Sequence, residues 1–167
     1  MRSIVRAAST AALGALTLSL LGLPAATPAV SLVAATTPTP AHQVLTLVNA
    51  ERAKAGCRPV RLDARLTAAA TKHSQDMARN NFFSHTGRDG SSFVTRIRRE
   101  GYTAPRSENI AAGNTTAAAT MRQWMNSAGH RANILDCTAK DMGLGVASSP
   151  NSTYRTYWTQ DFGRGSS

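Results

Sequence analysis

Three side chains able to do acid/base or metal chemistry stand in three separate polar segments of this sequence. His85 lies in Phe82-Phe83-Ser84-His85-Thr86-Gly87, and Glu108 lies in Ser107-Glu108-Asn109-Ile110-Ala111. His130 lies in Trp124-Met125-Asn126-Ser127-Ala128-Gly129-His130-Arg131-Ala132-Asn133. The chain has only four histidines and nine acidic residues, so such groups are scarce. Two imidazoles and one carboxylate suit a divalent metal such as zinc, with one position left open for water. Without a metal, the same groups can form a hydrogen-bonded polar cleft that Asn109, Ser127 and Gln160 complete. With a nucleophile, His85 or His130 could act as general base while Glu108 orients the ring. Ser84 and Ser127 are the candidate hydroxyls, although no Gly-x-Ser-x-Gly elbow or oxyanion motif marks either one. No two of these residues have i, i+4 spacing, so only the fold can bring them together.

The elements that must do so are partly readable. Residues 41–55 keep helical spacing at Val44, Leu47, Val48 and Glu51, and Gly56 is a natural stop. Pro59 to Leu62 is a short extended piece, and Asp63 can cap a helix from Ala64 to about Asn80. The stripe Leu66, Ala69, Ala70, His73, Met77 puts His73 on the buried face, where a packed core role is expected. Ser91 or Ser92 caps a helix through Glu100, and Thr115 or Thr116 starts one through Asn126. Tyr102 to Gly113 shows no clear period. A break at Gly129 precedes a short helix or turn, His130 to Leu135. Met142 to Val146 and Tyr154 to Phe162 alternate around a Ser-rich turn, a β-hairpin pattern. Helices first and strands last predict an α+β domain with an antiparallel sheet. Trp124 and Trp158 are expected in its core.

The N-terminus reads as a secretory signal peptide over residues 1–35. Arg2 and Arg6 are followed by the apolar run Ala7 to Leu23, and cleavage is expected after Ala29 or Ala35. A Thr/Pro linker, residues 36–40, leads into one domain over 41–165. No stable membrane span is expected after cleavage. The formal charge is +10, which suits contact with anionic cell-wall polymers or lipid headgroups. The arginines are scattered, apart from Arg96, Arg98 and Arg99, and carry no nucleic-acid motif, so nucleic acid is not an expected partner. Cys57 and Cys137 are expected to pair in an oxidising exterior. Closing so long a loop is worth roughly 4.5 kcal/mol at the upper end.

These blocks, together with Asn49-x-x-Arg52 and the closing Tyr157-Trp158-Thr159-Gln160-Asp161-Phe162-Gly163, resemble the CAP superfamily, or SCP domain, in its bacterial secreted branch. The resemblance runs from Gln43 to Gly163. It implies an α-β-α sandwich with a three-stranded antiparallel sheet between helical layers. Eukaryotic members carry two histidines and two glutamates in a cleft that can bind a divalent metal. Carried over, the first histidine is His85 and the first glutamate is Glu108. The second glutamate position holds Ser127, the second histidine position holds Tyr157, and a usual small apolar position holds Asp161. Two of the four implied ligands are therefore replaced. Some members bind sterols or fatty acids, and peptidase activity has been proposed for others. The expectation is a monomeric extracellular binding module that requires no cofactor and acts on an unidentified ligand, a cell-wall polymer or a lipid. Its alternative is a metal-assisted hydrolase using His85, Glu108 and His130.

Overall fold

Thr39 caps the first helix of the computed structural model, which describes residues 37–165. Its hydroxyl accepts from the His42 backbone N–H, and Pro40 takes a first-turn position where no N–H is needed. This helix, α1 (Pro40–Lys54), absorbs the last residue of the expected linker. The expected signal peptide and its two cleavage points lie outside the described residues. Asp63 caps α2 (Ala64–Asn80) as expected, accepting from the N–H groups of Arg65 and Leu66. Ser92 caps α3 (Phe93–Arg99), and Thr116 caps α4 (Ala117–Asn126). The next helix, α5 (Ala128–Ile134), starts two residues before the expected His130. The corner between α4 and α5 is made by the extended backbone of Ser127, so Gly129 sits inside the first turn.

Four strands form one mixed sheet: β1 (Arg61–Leu62), β2 (Pro105–Ala112), β3 (Asp141–Ser148) and β4 (Thr156–Gly163). Their spatial order is β1-β3-β4-β2. The expected antiparallel triple is present as β3-β4-β2, but the short β1 adds a fourth strand parallel to β3. The three-stranded expectation is corrected accordingly. The expected hairpin is β3–β4; β3 extends beyond its alternating run at both ends, and β4 starts two residues later than its own. Tyr154 belongs to the turn, because Arg155 adopts a left-handed backbone with φ 61°.

Helices cover both faces of the sheet. On one face, α2 lies directly against β3. A Cβ added at Gly143 or Gly145 would fall 2.1 or 2.3 Å from α2 backbone atoms, so only glycine permits this approach. On the other face, Val44 and Val48 of α1, Trp124 of α4 and Ile134 of α5 pack against Met142, Leu144, Trp158 and Phe162. Trp124 donates its indole N–H to the Ile110 carbonyl and Trp158 donates to that of Asn114, so both tryptophans are satisfied core residues. The chain is α+β with a helix-sheet-helix layering. Cys57 and Cys137 are bonded, tying the end of α1 to the connection between α5 and β3.

Candidate functional site

The register of β2 on β4 decides which side chains share a face. Glu108 pairs with Asp161, and Asn109 pairs with Gln160. Side chains alternate along a strand, so the two pairs point to opposite faces. Glu108 and Asp161 face the α2–α3 layer. Asn109 and Gln160 face α5.

Glu108 is the hub of the first group. Its side chain is 1% exposed, and His85 Nδ1 lies 2.8 Å from Oε1. A carboxylate only accepts, so this contact fixes the proton on Nδ1. Arg96 Nη2 donates to the other oxygen, Oε2, at 2.6 Å. The same nitrogen donates to the His85 carbonyl at 3.0 Å, and Nη1 donates to the Ser91 carbonyl. One guanidinium on α3 therefore holds both the glutamate and the backbone of the loop that carries the histidine. His73, on α2, supports the same loop: its Nε2 lies 2.9 Å from the Ser84 carbonyl. It is a buried core histidine, as its position on the apolar stripe predicts. Burial, and then the Arg96 charge, hold its pKa below the ordinary imidazole value. The His85 side chain itself is 54% exposed, and its Nε2 makes no protein hydrogen bond among the described residues.

Asp161 completes the cluster from beneath. It is fully enclosed, beside Glu108 and within reach of the Arg96 charge. Burial pushes its carboxyl well above the usual carboxylate range, and the Glu108 charge pushes it further, against the pull of Arg96. Two buried carboxyl groups side by side, only one of them paired with a guanidinium, are accommodated when the unpaired one keeps its proton. The folded chain then holds a proton that the unfolded chain releases at ordinary acidity. Stability from this group is therefore lost as the pH rises above about 4, at about 1.4 kcal/mol per pH unit, until Asp161 ionises. An Asp161→Asn variant removes that loss. Its urea midpoint should match the parent's near pH 4 and exceed it at pH 8; parallel pH profiles would show that Asp161 is already ionised.

The second group is a structural network. Asn109 Nδ2 donates to Gln160 Oε1 at 3.0 Å and to the His130 carbonyl at 3.2 Å. Asn133 donates to Asn109 Oδ1 at 2.8 Å and to the Glu108 carbonyl at 3.3 Å. Asn109 and Gln160 are both fully buried, so they dock α5 on the sheet instead of lining an open cleft. Arg131 caps α4 by donating to the Met125 carbonyl. Ser127 turns the corner between α4 and α5, and its hydroxyl caps neither helix. His130 is half-buried, with Nδ1 enclosed and unpartnered. Burial, and then the His85 charge, lower its pKa. His130 thus lies within electrostatic reach of His85, while Asn109 and Gln160 lie behind the sheet.

Among the described residues no group of three histidine, cysteine, aspartate or glutamate side chains is placed to hold a metal ion, so the alternative of a zinc site at His85, Glu108 and His130 finds no support. The donor chemistry gives the reason. Arg96 already places a positive charge on Glu108, where a cation would have to compete. Tyr157, at the second histidine position, is fully buried with its hydroxyl unpartnered, and Ser127 offers no carboxylate.

Sequence reasoning missed Arg96 as the anchor, reading it only as part of a short basic run with Arg98 and Arg99. The available signal was its helical spacing from Phe93 and its place beside Ile97, which put it on the inward stripe. A hollow of about 320 Å³ opens between α2 and α3, lined in part by His73, Asp76, Ser91, Arg96 and Arg99. Neither His85 nor Glu108 lines it.

The sequence matches the CAP family, the cysteine-rich secretory protein family, over residues 45–162. It is 36% identical over 121 residues to the uncharacterised protein YkwD of Bacillus subtilis, covering 72% of this chain and 45% of YkwD. It is 34% identical over 122 residues to the uncharacterised membrane protein YlbC of the same organism, covering 72% of this chain and 33% of YlbC. The chain therefore spans less than half the length of these curated relatives. An extracellular SCP-domain protein from Bacillus anthracis superposes with a TM-score of 0.64 at 31% identity, covering 75% of this chain and 40% of that one. An outer surface protein of Borrelia burgdorferi shares the fold, with a TM-score of 0.65 at 17% identity over 74% of this chain and 90% of its own. The family match runs from within α1 to within β4 and so includes every element that builds the His85–Glu108–Arg96 cluster: the chain belongs to the CAP family of cysteine-rich secretory proteins.

Proposed function

We propose that this chain is a secreted binding module that uses the His85–Glu108–Arg96 cluster, without a metal, to hold a cell-wall polymer. One observation carries the reading. The imidazole of a half-exposed side chain is anchored through Nδ1 to a buried glutamate that is itself anchored by an arginine, while Nε2 makes no protein hydrogen bond among the described residues. A polar group so fixed has little rotamer freedom left to lose, so it can bind a ligand group at low entropic cost. Secretion rests on the leader-like N-terminus and on relatives described as extracellular or surface proteins. No helix among the described residues is long and apolar enough to cross a membrane. The basic balance of the chain favours an anionic polymer.

A hydrolase would use the same imidazole as a general base. No serine hydroxyl bonds to His85 or His130 among the described residues, and Ser84 instead accepts from the Thr86 N–H. Binding is therefore the better-supported use. The test is incubation with soluble fragments of digested peptidoglycan, followed by both affinity and product analysis. The expected result is saturable binding, weakened at least about tenfold by His85→Ala, with no new product. Turnover that disappears in His85→Ala would overturn the binding module in favour of the enzyme.

A further inference from the structure

Only two large hydrophobic side chains stand exposed among the described residues, and they touch. Phe83 is 42% exposed and lies two residues before His85; Tyr154 is 47% exposed and lies in the β3–β4 turn. Their ring centroids are 5.8 Å apart at an interplanar angle of 57°. Buried Tyr157 supports Tyr154 from below, edge to face at 6.0 Å. Single exposed apolar side chains need no explanation, but a buttressed pair contributed by distant segments does.

The backbone is bent to present this pair. The only two non-glycine residues with left-handed backbones among the described residues are Asn81 and Arg155. Asn81 ends α2 just before Phe82-Phe83, and Arg155 follows Tyr154 directly. The two segments are fastened together, since the Thr153 N–H donates to Asn81 Oδ1 at 2.7 Å. Strain of this kind persists only where surrounding contacts enforce it, and it gathers at functional positions.

We infer that Phe83 and Tyr154 form a stacking platform for a sugar ring of an anionic glycan. The inference rests on the binding reading of the neighbouring cleft and names the part of the ligand that touches the protein beside His85. Stacking suits the chemistry: the axial C–H groups of a pyranose pack on aromatic faces, while its hydroxyl, acetamido and carboxylate groups remain free for polar partners. The exposed apolar patch is small. At these exposures the two rings offer on the order of 150–200 Å², against about 800 Å² per side in a stable protein interface. That is also less apolar surface than one acyl chain, which alone attaches only reversibly to a membrane. Charge favours an acidic glycan. Arg155, next to Tyr154, has no carboxylate partner among the described residues, in a chain of formal charge +10.

The test uses peptide-free oligomers of alternating N-acetylglucosamine and N-acetylmuramic acid, compared with free stem peptide and with vesicles of anionic phospholipid. Affinity is read by calorimetry on the parent protein, Phe83→Ala, Tyr154→Ala, Tyr154→Phe and His85→Ala, each first checked for an unchanged melting transition. The expected result is glycan binding weakened at least tenfold by either alanine variant and retained by Tyr154→Phe. Glycan binding lost only in His85→Ala would overturn the platform and leave the cleft reading standing. Loss in Phe83→Ala and Tyr154→Ala but not in His85→Ala would support the platform and sink the cleft reading. Binding to stem peptide or vesicles alone, or to no probe, would overturn the glycan inference.

Discussion

Replacing Arg52 with methionine should cost at least about 4 kcal/mol of folding stability, read as a shift in the urea midpoint at constant slope. Arg52 is fully buried on α1 and has no direct carboxylate contact. Its guanidinium donates instead to four backbone carbonyls: Arg58 at 3.0 Å, Ile134 at 2.8 Å, Asp136 at 2.9 Å and Ala139 at 3.0 Å. Three of these belong to the end of α5 and the connection into β3, which would otherwise turn its polar backbone inward with no partner. Each abandoned buried acceptor costs about 1–3 kcal/mol, and methionine satisfies none of them. Burial works against the guanidinium charge, and the nearby Asp136 charge partly offsets it. The disulfide at Cys57–Cys137 closes the same region. The Arg52→Met cost should therefore grow when that bond is reduced, because the crosslink no longer limits the loop. A cost below about 1 kcal/mol would mean that the connection is held by other contacts.

Replacing Arg96 with methionine should cost about 3–5 kcal/mol, the usual penalty for stranding a buried charge. Glu108 would lose its 2.6 Å partner while Asp161 remains its neighbour across the strand pair. The Ser91 and His85 carbonyls would each lose a donor as well, so the His85 loop should loosen. A double-mutant cycle separates these effects. Adding Glu108→Gln to Arg96→Met removes the stranded charge and should recover more than half of the loss. Equal losses in the single and double variants would show that Arg96 acts through the loop carbonyls and not through Glu108.

The layered fold was legible because its outer helices carry their own signals. Asp63, Ser92 and Thr116 each sit where a capping side chain is needed, and each does cap. The hairpin was legible because Met142, Leu144 and Val146 alternate with small residues, two of them glycines that α2 approaches. The strand carrying the site was not. β2 is enclosed by helices, and its Glu108 and Asn109 are buried polar groups pointing to opposite faces. Alternation of apolar with polar residues vanishes when both faces are buried and both carry polar function. β1 has two residues, too few for any period. At the site, the His85–Glu108 pairing followed from family resemblance, and the structure places those side chains in contact. Arg96 was hidden because Arg98 and Arg99 beside it make the segment look solvated, while only Arg96 turns inward. Asn109 and Gln160 were grouped with His85 by residue type. The two-residue period of the strands sends them behind the sheet, where they anchor α5.

The central proposal is that the His85–Glu108–Arg96 cluster binds its ligand without a metal. Calorimetric titration of soluble peptidoglycan fragments into protein stripped with chelator, repeated after adding equimolar zinc, tests it most directly. The expected result is one saturable site of equal affinity under both conditions, lost in His85→Ala while the melting temperature is unchanged. Binding that appears only with zinc, or that His85→Ala leaves intact, would contradict it.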